Sequence, residues 1–332
     1  MKIAQAQGAP ASAILGIGGY RPRRVVDNAE ICQFIDSSDE WIQTRSGIRE
    51  RRWASADETI QMMSVAASRK AIERAGLEPE QIDTVIVATV THLYQTPAAA
   101  ATVAAELGTK GAAAFDISAA CAGFCYGTAM ADSFIRTGTS KYVLVIGVER
   151  LSDFTDPRDR STAFIFADGA GAAVIGPSEV PGLGPVVWGS DGDQAGLITQ
   201  SQPWDVALAG EERHRPVLQM TGNPVFKWAA YTMAKAAAEA MDAAGIRPDE
   251  LEVFVPHQAN MRITDAMFRA LKLPAEVIVG RDIARQGNTS AASVPLAIEA
   301  LLESGEARSG QTCLIIGFGA GLVYAGQVIT LP

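Results

Sequence analysis

Apolar and polar positions follow two spacings along this chain. Residues 58–75 (ETIQMMSVAASRKAIERA) place apolar side chains three and four apart, which gives a helix one buried face, and Gly76 and Pro79 then stop the run. Val85-Ile86-Val87-Ala88 follows as an unbroken apolar stretch, short and β-prone, so it predicts a strand covered on both faces. The same succession returns later, with a helix over 225–244, breakers Gly245 and Pro248, and a strand over 251–255. Residues 112–117 (AAAFDI) and 142–147 (YVLVIG) predict two more buried strands, with a helix over 122–136 between them. Helices alternating with buried strands imply mixed or parallel sheets with helices packed on their faces.

The succession is a repeat. AGLEPEQIDTVIV (75–87) matches AGIRPDELEVFVP (244–256), and KYVLVIG (141–147) matches QTCLIIG (311–317). Between these anchors, CAGFCYGTAMADSFIRTG (121–138) and NTSAASVPLAIEALLESG (288–305) each end in a helical run and a glycine. Aligning Gly138 with Gly305 sets Cys121 opposite Asn288. Two copies are too few for an open solenoid, so the reading is two similar halves packed together, 1–178 and 179–332, with the boundary near 176–184. Residues 177–225, rich in Gly, Pro and Trp, are expected to join the halves through strands and an excursion.

Composition narrows the class. With 332 residues, 48% hydrophobic and 20% charged, the chain is globular and can bury a large core. A net charge of −9 argues against a nucleic-acid partner. No apolar stretch reaches the roughly 18–20 residues that cross a bilayer, and MKIAQAQGAP lacks the apolar core of a secretory signal. Four cysteines (Cys32, Cys121, Cys125, Cys313) in a chain of this size fit reduced thiols in a cytoplasm. Gly16-Ile17-Gly18-Gly19 lacks the third glycine and the following helix of a dinucleotide fingerprint. Asp168-Gly169-Ala170-Gly171 reads as a turn with close packing, without partners for a metal.

Candidate chemistry gathers at the repeat's helix starts. Cys121 follows a strand-like Phe115-Asp116-Ile117 and the small-residue turn Ser118-Ala119-Ala120, and opens a helical run. A helix N-terminus favours an anion, so this thiol is expected to be pushed toward the nucleophilic thiolate. A buried structural cysteine is the competing reading, and it is the one that fits Cys125, one turn further on. His257 ends the strand of the second half, whereas His92 and His214 lack comparable context. Asn288 heads Gly287-Asn288-Thr289-Ser290, where a helix cap is the plain alternative. The small residues of Gly317-Phe318-Gly319-Ala320-Gly321 leave backbone N–H groups free to approach a ligand, as an oxyanion-binding loop requires.

Taken together, SSDEWIQTRSGIRER (37–51), FDISAACAGF (115–124), DRSTAFIFADGAGAAV (159–174), PHQANMRI (256–263), GNTSAAS (287–293) and GFGAG (317–321) resemble the thiolase-like condensing enzymes, most closely the β-ketoacyl-acyl carrier protein synthase III family. The resemblance spans essentially the whole chain. It implies a thiolase-like α/β fold, two duplicated halves with mixed sheets and helices in a layered αβαβα arrangement, assembled as a homodimer. It implies that Cys121 takes an acyl group from acyl-CoA, and that His257 and Asn288 support decarboxylation of malonyl-acyl carrier protein. The oxyanion donors would be backbone groups of Cys121, Gly319 and Ala320. No cofactor is implied, acyl-CoA being a substrate.

By the same resemblance, Trp41 and Arg160 flank the CoA adenine, Arg45 approaches its phosphates and Asn223 its pantetheine arm. Arg262, Arg269 and Lys272, spaced to lie near one helical face, would receive the acidic carrier protein. Phe318 would line the acyl pocket. Thr96, in the loop 92–97 that reaches the partner subunit's pocket in this family, stands where many members carry a bulky Phe, so branched or longer primers are expected. GFGAG has no second cysteine, unlike a thiolase, and Asn288 stands where elongating synthases carry a second His. A priming ketosynthase of an aromatic polyketide pathway is the nearest rival. A non-catalytic binding protein of this fold is a distant one, since it should have lost Cys121, His257 or Asn288.

Overall fold

A computed structural model describes Ile3, Ala4 and residues 6–209 and 215–332, so His214 lies outside the described residues. Two five-stranded sheets organise it. In the first, the order is Ala11–Tyr20, Asp168–Ser178, Val143–Arg150, Thr84–Ala88, Ala113–Ile117. In the second it is Val187–Gly189, Val323–Thr330, Thr312–Gly319, Val253–Pro256, Ile278–Val279. Directions match as well as order: in each sheet three strands run parallel, and the remaining two are antiparallel to their neighbours.

Five layers result. Helices Gly123–Thr137 and Ser293–Ser304 lie between the sheets, each touching strands of both. Their apolar side chains join those of the two inner sheet faces in one core that includes Phe124, Val145, Val255, Val294 and Ile315. Helix Ile60–Arg74 covers the outer face of the first sheet, and Met233–Ala244 covers that of the second. Strand Thr84–Ala88 is buried at every position, as its unbroken TVIVA run predicts for a sheet covered on both faces.

Element boundaries shift for local reasons. The first helix starts at Ile60 rather than 58, because Thr59 caps it through Met62 N–H, a contact worth about 0.5–2 kcal/mol. Glu58 is withdrawn into the core, where its carboxylate accepts from Tyr20 Oη and the N–H of Arg23. The helix expected over 225–244 begins at Gly222 and contains a π-helical stretch, Trp228–Thr232, beside the cavity described below.

Two expectations are corrected. Asp168–Gly171 is no turn: it opens the strand Asp168–Ser178, whose outward neighbour is the strand holding Gly16, Gly18 and Gly19. The close packing is real, since a Cβ on Gly171 would lie 2.6 Å from Pro295, and one on Gly18 only 2.4 Å from the Ala67 carbonyl. The second correction concerns the repeat register. Turns Ala120–Ala122 and Ser290–Ala292 each open on a residue of positive φ, 43° at Ala120 and 49° at Ser290, and each leads into a middle-layer helix. Matching these turns sets Cys121 against Ala291, and Asn288 against Ser118. The helix-ending glycines mislead because the second helix is shorter, 12 residues against 15.

Candidate active site

Cys121, His257, Asn288, Phe318 and Gly319 meet in the wall of one cavity of about 330 Å³. Three chain ends bring them there. After strand Ala113–Ile117, the left-handed Ala120, a conformation that costs a side-chain-bearing residue about 1–2 kcal/mol, turns the chain sharply into the middle-layer helix with Cys121 at the bend. Gly319 lies against the sulfur: a Cβ there would fall 2.8 Å from Cys121 N and 2.9 Å from its Sγ. Hydrogen in place of a side chain therefore lets this backbone reach the thiol. Ala320 opens the next turn, Ala320–Leu322, and does not contribute to the cavity wall.

His257 follows strand Val253–Pro256, its N–H donating to the Ile316 carbonyl at 2.7 Å. The ring is 2% exposed, meets the edge of Phe318 at 5.3 Å, and has Nδ1 2.7 Å from the Ser293 hydroxyl. Asn288 is held by its backbone, which bridges to Phe166 through Asn288 N–H to the Ile165 carbonyl and Ala167 N–H to the Asn288 carbonyl, both 2.9 Å. Its Oδ1 accepts from Ser290 N–H at 2.9 Å, two residues on, and caps no α-helix. The amide oxygen is thus engaged and the NH2 group is left as the free donor.

The charge states depart from the sequence argument. Burial pushes the Cys121 thiol up from 9.0 to about 12; a Ser290 hydrogen bond opposes this and the Glu149 charge reinforces it. A helix N-terminus stabilises an anion by about 0.3–1 kcal/mol, up to about 2 when partly buried, while one pKa unit is about 1.36 kcal/mol. Desolvation wins, and the resting residue is a thiol. Burial also pushes His257 down to about 3, so the imidazole is neutral. Cys125 and Cys313 are buried in the core between the sheets, and burial raises both thiols.

The comparisons with known proteins agree over the full chain. The family model for 3-oxoacyl-[acyl-carrier-protein] synthase III matches residues 115–192, and the model for its C-terminal part matches 241–331. A beta-ketoacyl-[acyl-carrier-protein] synthase III of Streptomyces glaucescens is 58% identical over 332 residues, covering 100% of this chain and 99% of the relative. The chain belongs to the synthase III family. A mycobacterial synthase III of Mycolicibacterium paratuberculosis is 51% identical over 100% of this chain and 99% of its own. Among solved structures, the priming beta-ketosynthase of the R1128 polyketide pathway superposes with a TM-score of 0.96 at 49% identity, over 100% of this chain and 98% of that one. The synthase III of Aquifex aeolicus gives 0.88 at 39%, over 96% and 100%.

At the cavity mouth of this synthase III family member stand Trp41, Arg45, Asn223 and Arg262. Trp41 sits on helix Asp39–Ser46, packs edge-on against Phe164, and carries the Arg160 guanidinium 4.7 Å from its ring centre. That spacing is one van der Waals layer, so Arg160 covers the ring and a base between the two requires it to swing aside. Arg262 and Arg269 lie exposed on helix Met261–Ala270; Lys272 is past its end, with φ of 53°, and does not share the helical face expected of it. Thr96 is exposed and apart from this cavity; its loop displays Leu93 and Tyr94, 49% and 72% exposed. Among the described residues, no group of three or more His, Cys, Asp or Glu side chains could hold a metal, and no helix is long and apolar enough to cross a membrane.

Sequence reasoning passed over three neighbours of Cys121, His257 and Asn288. Ser293 holds the His257 ring, Ser290 lies close enough to Cys121 to lower its thiol pKa, and Glu149 lies fully buried beside Ser290. Glu149 accepts from Thr91 Oγ1 at 2.6 Å, Val90 N–H at 3.1 Å and Ser290 Oγ at 3.3 Å, and burial pushes its carboxyl up to about 7. A signal existed for it: an acidic residue ending the apolar run VLVIGVE is out of character for a covered strand.

Proposed function

We propose that this chain starts fatty acid synthesis by decarboxylative Claisen condensation of an acyl-CoA primer with malonyl-acyl carrier protein. It is an acyltransferase of the synthase III type, as its relatives' names and full-length identity indicate. The observation that carries the residue roles is one cavity lined by a thiol, a neutral imidazole and an amide whose oxygen is already engaged.

In the first stage the Cys121 sulfur attacks the primer's thioester carbonyl. A C–S bond forms to Cys121, the bond to CoA sulfur breaks, and CoA leaves carrying the thiol's proton. The backbone N–H groups of Cys121 and Gly319 hold the oxyanion; losing one such donor costs about 2.7–4 kcal/mol. In the second stage the malonyl C–CO2 bond breaks, and its electron pair enters an enolate held by N–H donors of His257 and Asn288. A charged acid there would protonate the carbanion; a neutral imidazole and an amide do not. The carbanion attacks the acyl-Cys121 carbonyl, the C–S bond breaks, and the sulfur takes up a proton from solvent. The products are 3-oxoacyl-acyl carrier protein, CoA and CO2, and the scheme draws on no resident metal or redox cofactor.

CoA is read as lying along Trp41, Arg45, Arg160 and Asn223, with the carrier protein on Arg262 and Arg269. Two copies of the chain, each holding the halves 1–178 and 179–332, are read as forming a homodimer through the face bearing Leu93 and Tyr94, in the cytoplasm; two exposed apolar side chains on one loop support that face.

A primer panel of acetyl-, isobutyryl- and longer acyl-CoA, run with malonyl-acyl carrier protein and read by intact mass, tests this. One acyl adduct per chain on Cys121 and a 3-oxoacyl product are expected; an adduct on Cys125 would sink it. A priming ketosynthase of an aromatic polyketide pathway is the second reading, favoured by the 0.96 superposition on the R1128 enzyme. Rates with a fatty acid carrier protein and a polyketide carrier protein, measured side by side, separate the two.

A further inference from the structure

We propose that Ser293 is a positioning residue for the reaction: its hydroxyl donates to His257 Nδ1 and so fixes the ring proton on Nε2, the nitrogen left for the cavity. The inference rests on the reading of His257 as an enolate donor and supplies what that reading needs, a reason for a neutral ring to present N–H rather than a lone pair.

The hydrogen-bond inventory decides the direction. A serine hydroxyl has one proton and two lone pairs, and a neutral imidazole has one donor and one acceptor nitrogen. Ser293 is 2% exposed and makes two side-chain contacts among the described residues: the Gln258 backbone N–H at 3.3 Å and His257 Nδ1 at 2.7 Å. The Gln258 N–H can only donate, so it takes one lone pair of Oγ. Were Nδ1 also to donate, both lone pairs would be filled and the Ser293 proton would have no acceptor in a dry site. With Ser293 donating to Nδ1, every group is satisfied and the ring proton sits on Nε2.

The choice of a hydroxyl matters. A carboxylate at this position would accept from Nδ1–H, favour the imidazolium and turn Nε2 into a base, as in a nucleophile-activating triad. A hydroxyl brings no charge, so the ring stays neutral and its exposed nitrogen is a donor. The surroundings fix the ring as well. Phe318 meets it at 5.3 Å with planes 79° apart, and Ser293 is held as the first residue of the middle-layer helix Ser293–Ser304. One short bond therefore sets both the orientation and the proton position of His257.

The test has a direct readout. The chain contains three histidines, so the His257 signals of 15N-histidine-labelled protein are assigned by comparison with His257→Ala. The native protein is expected to show a protonated Nε2 and an unprotonated, hydrogen-bonded Nδ1. Ser293→Ala is expected to lose the fixed tautomer and slow malonyl-carrier decarboxylation at least about tenfold, by analogy with metal-bound imidazoles that lose their outer hydrogen-bond partner. Formation of the Cys121 acyl adduct should suffer much less, and Ser293→Thr should restore most of the decarboxylation. A native ring protonated on Nδ1 overturns the proposal, as does Ser293→Ala with the native decarboxylation rate. If Ser293→Ala does not fold, the tautomer of the native protein decides alone. His257→Ala separates the two levels of inference: normal decarboxylation without the ring refutes the donor reading itself, whereas its loss alongside an unaffected Ser293→Ala refutes only the role of Ser293.

Discussion

The turns Ala120–Ala122 and Ser290–Ala292 have one backbone and two uses. Each begins at a positive φ, leads into a helix between the sheets, and faces the other across the pseudo-twofold. In the first, the middle residue is Cys121 and looks into the cavity. In the second it is Ala291, 1% exposed, whose carbonyl oxygen would lie 2.2 Å from a Cβ on Gly147. The same bend is therefore open on one side and packed shut on the other. The second half reaches the cavity instead from three residues earlier, at Asn288, where the chain bridges to Phe166. Duplication supplied two equivalent bends, and packing decided which one presents a reactive atom.

The strongest way to break this comparison is to exchange the bends. Cys121→Ala should abolish acyl adduct and condensation, and adding Ala291→Cys should restore neither; an adduct on residue 291 would show the second bend to be open after all. Next in size is Gly319→Ala, whose Cβ would press on the Cys121 sulfur and backbone nitrogen. Acylation should fall about 10²–10³-fold, the range for losing an oxyanion donor, with the fold intact by circular dichroism. Asn288→Ala should lower malonyl decarboxylation by a similar factor while Cys121 still takes an acyl group; equal loss of both steps would mean that the two bends do not divide the labour.

The pH response sharpens the picture further. Because burial raises the Cys121 thiol to about 12, alkylation by iodoacetamide should climb steadily through pH 9. A plateau near neutral pH would reveal a thiolate stabilised by its helix. His257, lowered to about 3 by burial, should show no titration between pH 5 and 8. The unfolded chain takes up a proton there near pH 6.5 that the folded chain refuses, so this residue's contribution makes stability fall as pH drops through 6.5. The smallest effect belongs to the mouth. Trp41→Ala should raise the KM for acyl-CoA by the equivalent of about 0.5–2 kcal/mol and leave kcat nearly unchanged, as loss of one stacking surface predicts.

Much of this was legible in the chain itself. The strands came from unbroken β-branched runs, the halves from the repeated AGLEPEQIDTVIV and AGIRPDELEVFVP, and the trio from motifs around Cys121, His257 and Asn288. What escaped depended on three dimensions. Repeat register follows bends rather than helix ends, and no pattern of apolar positions marks a left-handed alanine. The thiol's charge state follows how dry the cavity is, which outweighs the helix dipole that sequence position suggests. Lys272 left its expected helical face because the helix stops two residues before it. The DGAG segment read as a turn because glycines are turn residues by default, yet here they thin a strand so that Pro295 and its helix can approach.

The bridge between Phe166 and Asn288 couples the two copies at the level of motion. Opening the 287–290 segment must break backbone hydrogen bonds that also tether 165–167, so those amide protons should exchange with solvent at a common rate although more than a hundred positions of chain separate them. The Asn288 amide at the cavity wall is thereby only as still as the opposite half allows.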